Sequence, residues 1–284
     1  MRNGDNPAFP ESIASQEKQQ KEQRLSLGLS KADQVMEEKK LELESFADSV
    51  STQKLQRDRA YVDRLHAVFT SKELKKEAKY GKVLEALILD LGELASWLGE
   101  NTDIARTTEY DDWRNKVDVL LRFKRVEGGE DFLGMAVDAT VSYLLRDKFD
   151  RIVQEIEPGH MGEVHYVKKD WKKGRLDNLP RVVVGVDPER VDELMQLWLQ
   201  DDYEALAASP VKKLLLTQIA SQLQLYHDYA NKYGKRDWLE HIDPALKEIN
   251  SQLALEADTP LLQHDSVSVA LQSQLQILRR KWAL

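Results

Sequence analysis

The stretch from Glu109 to Ser142 constrains the fold of this chain more than any other segment. Two short runs rich in β-branched and apolar residues flank a turn that contains Gly128 and Gly129, and this pattern is typical of a β-hairpin. Side chains alternate between the two faces of a strand, so Asp118 and Asp138 each fall on the face opposite to their apolar neighbours. A carboxylate in the middle of each of two adjacent strands costs free energy unless something pairs with it. The hairpin is therefore a candidate functional site.

Composition excludes several classes of function. The chain has a formal net charge of −8 and no cysteine, which argues against coating of nucleic acid by bulk charge and excludes thiolate metal sites. No apolar run approaches the roughly 18 residues that a membrane span needs, so we expect a cytoplasmic protein without a membrane partner. His160 and His165 have no third histidine nearby, and zinc is not expected. Neither a nucleophile elbow nor a glycine-rich phosphate loop is present, which disfavours hydrolases and nucleotide-dependent enzymes of those kinds.

The region before the hairpin predicts a disordered lead-in over residues 1–15 and a helical arm that extends to about residue 70. Apolar residues recur in the arm at a spacing of seven, which indicates either a coiled coil or a long helix packed on its own domain. A solvated amphipathic helix without a partner is a third alternative. The coiled coil would make the chain a homo-oligomer through this arm. The residues of the seam are Leu29, Met36, Leu43 and Val50.

The remaining elements predict an α/β (α+β) core over residues 71–205 and a helical C-terminal region over residues 206–284. Helical spacing of apolar residues indicates a helix from about Lys72 to Leu98. A strand is expected around 103–109, before the hairpin, and a helix over 144–156 after it. The run Arg-Val-Val-Val-Gly-Val at 181–186 lacks alternation, as expected for a strand buried on both faces.

Over residues 72–187 the expected order is αβββαβ, which resembles the core of the PD-(D/E)XK nuclease-like superfamily, also called the restriction-endonuclease-like fold. The resemblance covers about 115 of the 284 residues. Members of that superfamily often carry a Gly-x-x-x-Glu element on the first helix, and Gly81 and Glu85 match it here. Asp118 matches the metal-binding aspartate of the second strand. Asp138 matches the acidic residue that begins an acid-x-Lys triplet in the third strand.

The resemblance implies Mg²⁺- or Mn²⁺-dependent hydrolysis of phosphodiester bonds in nucleic acid, with the metal held by Glu85, Asp118 and Asp138. The chain departs from the family pattern because its triplet reads Asp138-Ala139-Thr140 and lacks the lysine. In the family that lysine helps to position and deprotonate the attacking water. Lys148 or Lys168 could reach the same space and complete the catalytic set.

The sequence leaves three alternatives open around the candidate site. Asp118 could instead pair with Arg122, and Asp138 could bond the hydroxyl of Thr140 or a cross-strand arginine. Asp111 and Asp112 could hold the metal ligands in place from behind, or they could be ligands on the substrate side. If the lysine is lost without replacement, the chain would be a catalytically degenerate member of the fold that binds nucleic acid or assists protein assembly.

A local basic segment follows the candidate site. In an acidic chain, lysines that surround a tryptophan indicate contact with a phosphate backbone, although a charged loop is often only solvated. The candidate nucleic-acid-binding residues are Lys168, Lys169, Trp171, Lys172, Lys173 and Arg175.

Overall fold

The computed structural model describes residues 10–69, 74–94, 97–99, 102–123, 133–169, 172–262 and 264–284. Helices surround a small mixed sheet, which confirms the α+β class expected from the sequence. The hairpin tip with Gly128 and Gly129 lies outside the described residues. Within the described ranges, no helix combines the length and the apolar character needed to cross a membrane.

The central sheet has the strand order β1 (Thr102–Arg106), β2 (Val119–Phe123), β3 (Leu133–Thr140) and β6 (Arg181–Gly185). The first three strands are antiparallel neighbours, and β3 and β6 run parallel. All five residues of β6 are buried, which accounts for its continuous apolar run. The expected hairpin and the expected buried strand are therefore both formed.

A second, two-stranded sheet corrects the expectation of a basic loop after residue 167. Strands β4 (Gly162–Lys169) and β5 (Lys172–Leu179) pair in antiparallel fashion, and apolar residues of both pack against Leu120 and Ala136 of the central sheet. Register shifts interrupt the ladder. They explain why the apolar residues of β5 do not alternate in the sequence.

Helices supply most of the remaining core. They are α1 (Pro10–Glu38), α2 (Thr52–Phe69), α3 (Lys76–Leu94), α4 (Arg146–Ile156), α5 (Pro188–Leu199), α6 (Tyr203–Ala207), α7 (Pro210–Tyr233), α8 (Arg236–Leu255) and α9 (Ser266–Lys281). A 3₁₀ turn at Leu43–Phe46 and a π-helical turn at Asp111–Asn115 complete the helical elements. The region after residue 206 is helical, as expected.

The seven-residue seam of the N-terminal arm does not lie on one helix, and this corrects the coiled-coil prediction. Helix α1 begins at Pro10, inside the expected disordered lead-in, and ends at Glu38. Leu43 lies in the 3₁₀ turn that follows, so the spacing of seven spans a break in the backbone. Met36 is buried in the main hydrophobic core of the chain. The alternative of a long helix packed on its own domain describes α1 better, and self-association stays a prediction.

Polar contacts fix α1 against α5 and the segment after it. The guanidinium of Arg24 donates to both carboxylate oxygens of Asp192, with Nε 2.9 Å from Oδ1. Lys31 Nζ lies 2.6 Å from the carbonyl oxygen of Trp198 and 2.6 Å from the carboxylate of Asp201. Gly28 lets the two helices approach closely, because a Cβ there would lie 2.0 Å from Met195 Sδ.

Helix α7 closes the outer edge of β6 with side chains. The amide groups of Gln218 and Gln222 each accept from a backbone N–H and donate to a backbone C=O of β6, at Gly185 and Val183 respectively. Tyr226 Oη donates to the carbonyl of Arg181 at 2.8 Å. Residues four apart on a helix are separated by about 6 Å along its axis, and residues two apart on a strand by about 6.6 Å. Every fourth residue of α7 therefore meets every second residue of β6. The strand edge is satisfied without another strand.

Two helix-interior glycines provide a matched test of the packing between α1 and α5. A Cβ at Gly81 of α3 would meet no heavy atom within 4 Å, so Gly81→Ala should stabilise the chain by about 0.5–1 kcal/mol through helix propensity. Gly28→Ala has the same propensity gain, but it forces a clash with the fully buried Met195, for which overpacking costs roughly 1–3 kcal/mol. The free energy of unfolding, measured by urea denaturation, should be higher for Gly81→Ala than for wild type. It should be lower for Gly28→Ala than for Gly81→Ala. Equal stability of the two variants would contradict the close contact.

Candidate active site

The central sheet places Asp118 and Asp138 opposite one another. The β2–β3 register ends at the pair Val119–Val137, so one further step sets Asp118 against Asp138. The Asp118 N–H donates to the carbonyl oxygen of Val137 at 3.0 Å, and its Oδ2 accepts from the Ala139 N–H at 2.8 Å. Asp118 directly precedes β2, and its carboxylate accepts a hydrogen bond from the backbone of β3 just beyond the end of the β2–β3 ladder. The expected cross-strand pair of aspartates is formed.

Lys148 supplies a cation to this pair from α4. Its Nζ donates to Oδ1 of Asp138 in an ion pair. The side chain of Asp138 is 7% exposed and that of Lys148 is 27% exposed. Of the two lysines considered from the sequence, Lys148 thus reaches the third-strand aspartate. The side chain of Lys168 lies outside the described part of the chain.

Glu85 enters the same region from α3, at the edge of the stripe that faces the core. Its side chain is 17% exposed, and its Oε1 lies 4.0 Å from Nε of Arg106. Arg106 stands at the end of β1 and is held in place by a 2.9 Å hydrogen bond from NH1 to the carbonyl oxygen of Met36 in α1. Sequence reasoning missed Arg106, because an arginine at a strand end carries no distinguishing pattern.

The π-helical turn brings Asp112 toward the cluster and uses Asp111 as its anchor. Asp111 is fully buried and accepts hydrogen bonds from the backbone N–H groups of His165 and Tyr166 at 2.7 and 3.0 Å. Asn115 Nδ2 and Thr108 Oγ1 donate to it as well, at 2.7 and 3.0 Å. These bonds fix the turn against β4. Asp111 has a structural role, whereas Asp112 contributes charge to the cluster.

Burial and neighbouring negative charge raise the pKa of three carboxyl groups in the cluster. Burial, followed by the negative charge of Asp112, raises the pKa of Glu85 to about 8. Burial raises the pKa of Asp112 to about 6 against the opposing effect of Arg106 and Lys116. For Asp118, burial and then the neighbouring charge of Asp138 raise the pKa well above its ordinary value, and Lys148 offsets part of this. The site holds more negative charge than its basic neighbours compensate.

The alternative partners considered for the two aspartates are engaged elsewhere. Arg122 forms an ion pair with Asp103 of β1 at 3.3 Å. The hydroxyl of Thr140 accepts from the Ser142 N–H at 3.2 Å. The described partners of the two aspartates are instead the Ala139 N–H for Asp118 and Lys148 for Asp138.

The donor set fits a small hard cation held by few protein ligands. In the described ranges, no three or more His, Asp or Glu side chains are placed to hold one metal ion, so Glu85, Asp118 and Asp138 do not form a ready-made three-ligand group. Mg²⁺ usually takes only one or two carboxylates and completes its shell with water and substrate phosphate. Asp118 and Asp138 supply two carboxylates from neighbouring strand positions. Oδ2 of Asp118 accepts from the Ala139 N–H, and Oδ1 of Asp138 pairs with Lys148.

The expected basic site is only partly described. The side chains of Lys168, Lys169, Trp171, Lys172 and Lys173 lie outside the described residues. Arg175 is described, and its guanidinium is engaged with two acidic partners. It donates to Asp177 at 2.6 Å and also to Glu163. The Arg175 side chain is 55% exposed, and its contact with a phosphate stays a prediction.

Comparison with models of protein families, with curated proteins and with solved structures finds no match to this chain.

The raised pKa values predict how stability depends on pH in metal-free protein. A carboxyl whose pKa is higher in the folded state stabilises the fold below its ordinary pKa, and this contribution is lost as pH rises through the folded value. Because those values are about 6 for Asp112 and about 8 for Glu85, the free energy of unfolding should fall between pH 5 and pH 9. Each carboxyl contributes at most about 1.4 kcal/mol per pH unit.

Urea denaturation in EDTA at several pH values measures this slope. Glu85→Gln should flatten it, while Glu240→Gln, a substitution at an exposed position of α8, should leave it as in wild type. A wild-type slope that survives Glu85→Gln unchanged would show that the cluster is not its source.

Proposed function

We propose that this chain is a metal-dependent phosphodiesterase that hydrolyses nucleic acid with a PD-(D/E)XK-like site. The observation that carries the proposal is the ion pair between Lys148 and Asp138. The triplet Asp138-Ala139-Thr140 lacks its lysine, and α4 presents one to the same aspartate. A lysine at this place is what the chemistry of the family requires.

The order of elements supports the proposed fold family. Helix α3, strands β1, β2 and β3, helix α4 and strand β6 follow one another as αβββαβ, and β6 lies parallel to β3. The β4–β5 hairpin is then an insertion between α4 and β6. The N-terminal and C-terminal helices pack around this core.

We assign metal binding to the carboxylates of the site and positioning of the attacking water to Lys148. Asp118 and Asp138 would hold Mg²⁺ or Mn²⁺, with Glu85 as a third carboxylate at the edge of the cluster. When bound, the ion lowers the pKa of water and stabilises charge on the scissile phosphate. Lys148 is placed to orient the attacking water and to stabilise the negative charge that develops on the phosphate.

The proposed reaction forms one bond from the water oxygen to phosphorus and breaks one ester bond. The water loses a proton, and the released sugar oxygen gains one. In the metal-free protein Glu85 is mostly protonated near neutral pH, because its pKa is about 8. It can therefore hold a proton at the edge of the site, next to Arg106.

Nucleic acid is the proposed partner of the β4–β5 hairpin. The ladder sets Lys168 opposite Lys173 and Lys169 opposite Lys172. Residues directly opposite one another in an antiparallel ladder share a face. The backbone ladder thus brings four lysines of the sequence together near the end of the hairpin, and such a concentration of lysine supports contact with a phosphate backbone.

A catalytically degenerate chain that binds nucleic acid or assists assembly is the second candidate. The strand triplet without lysine favours it, as does the lack of a three-ligand metal group among the described residues. This candidate predicts that nucleic acid or a protein partner binds without turnover.

Cleavage assays on labelled DNA and RNA, single-stranded and duplex, test the proposal. Wild type should cut with Mg²⁺ or Mn²⁺ and stop in EDTA. Lys148→Met should lower kcat by roughly 10²- to 10⁴-fold, the range for loss of a group that assists proton transfer. Lys247→Met, at an exposed position of α8, is the matched control and should cut as wild type does. Wild type that cuts none of these substrates would favour the degenerate alternative.

A further inference from the structure

The connection between Asp138 and Lys148 has a defined shape. After β3 the chain runs through residues 141–145 and enters α4. Two hydrogen bonds between a side chain and the backbone two residues later shape this loop. Thr140 Oγ1 accepts from the Ser142 N–H at 3.2 Å, and Ser142 Oγ accepts from the Leu144 N–H at 3.1 Å. The N–H of Leu145 donates to the Tyr143 carbonyl at 3.0 Å. Such turns hold the backbone in one conformation.

The loop presents two large side chains to solvent. Tyr143 is 63% exposed and Leu144 is 74% exposed, whereas Val141 and Leu145 on either side are buried in the main core. The buried residues anchor the loop at both ends. The exposed pair therefore stands at a fixed place, within six residues of both Asp138 and Lys148.

We propose that Tyr143 is a stacking platform for an unpaired base next to the scissile phosphate. The preferred substrate would then be single-stranded nucleic acid or a duplex end or junction with unpaired bases. This inference rests on the proposed function of the same site. A base inside a duplex has both faces covered by its neighbours, so only an unpaired base can offer a face to an aromatic ring.

The position of Tyr143 favours a nucleobase over a protein partner as its occupant. The loop lies in the chain between Asp138 of β3 and Lys148 of α4, the residues proposed to act on the scissile phosphate. The base attached to that phosphate lies within a nucleotide's length of it. Arg146 follows at the start of α4 with its side chain 86% exposed, and its only ion pair given by the described residues is a long one to Asp150 at 3.6 Å. An aromatic ring beside a solvated guanidinium suits a base and its phosphate.

Binding measured without turnover tests the inference independently of catalysis. Fluorescence anisotropy would compare a single-stranded oligonucleotide with a blunt duplex of equal length, in Ca²⁺ in place of Mg²⁺, for wild type, Tyr143→Ala and Tyr143→Phe. The matched control is Leu255→Ala, which removes a side chain that is 78% exposed at the end of α8. Melting curves should show all variants folded, because the substituted side chains are exposed.

We expect Tyr143→Ala to weaken single-strand affinity by roughly 5- to 150-fold, the range for loss of one base–aromatic stack, with little effect on the duplex. Tyr143→Phe keeps the ring and should bind as wild type does, and Leu255→Ala should change nothing. In the cleavage assay Tyr143→Ala should raise KM for single strands more than it lowers kcat.

The outcomes separate this inference from the proposed function. Cleavage by wild type combined with unchanged single-strand affinity in Tyr143→Ala would overturn the stacking role and leave the nuclease proposal standing. An equal loss for single strand and duplex would also overturn it. A selective single-strand loss in a chain that cuts nothing would support stacking and reject the catalytic proposal.

Discussion

Burial of several carboxylates in one place is the constraint on which the structure around the site depends. Asp118, Glu85 and Asp112 are each disfavoured as charged groups by burial and by neighbouring negative charge. Asp138 on β3 is one of those neighbouring charges. Two basic side chains, Lys148 and Arg106, partly compensate this negative charge. Lys148 reaches Asp138 from α4, and the carbonyl of Met36 in α1 holds Arg106 beside Glu85. The compensation is incomplete, and this is the physical basis for expecting a divalent ion.

The location of Asp138 depends on contacts far from the cluster. Asp138 is fixed by β3, and β3 is fixed on one side by β2 and on the other by the parallel strand β6. Strand β6 would have an open edge, but Gln218 and Gln222 of α7 occupy its backbone groups. Both glutamines are fully buried, so their amides have no alternative partners in water. A helix outside the proposed core thus holds the strand that positions the aspartate.

Local patterns allowed part of this structure to be predicted. The hairpin and the placement of Asp118 and Asp138 on matching strand faces follow from the period of two in strands. The helix that carries Lys148 was expected over 144–156, before the stop at Pro158 and Gly159. The N-terminal arm was misread because a spacing of seven extends from Met36 to Leu43 across a helix end, and spacing alone does not reveal a break. The positions of Arg106 and Asp112 depend on tertiary contacts with α1 and β4, which have no local signature.

Melting of metal-free wild type, Asp118→Asn and Asp138→Asn with and without Mn²⁺ tests the central claim most directly. At a hundredfold excess over Kd, Mn²⁺ should stabilise wild type by about 2.7 kcal/mol and should not stabilise either variant. Without metal, Asp118→Asn should melt at or above wild type because a repelling charge is gone. Asp138→Asn should gain less because it also loses the ion pair with Lys148. An unchanged wild-type melt in Mn²⁺, or an equal shift in all three proteins, would contradict the account.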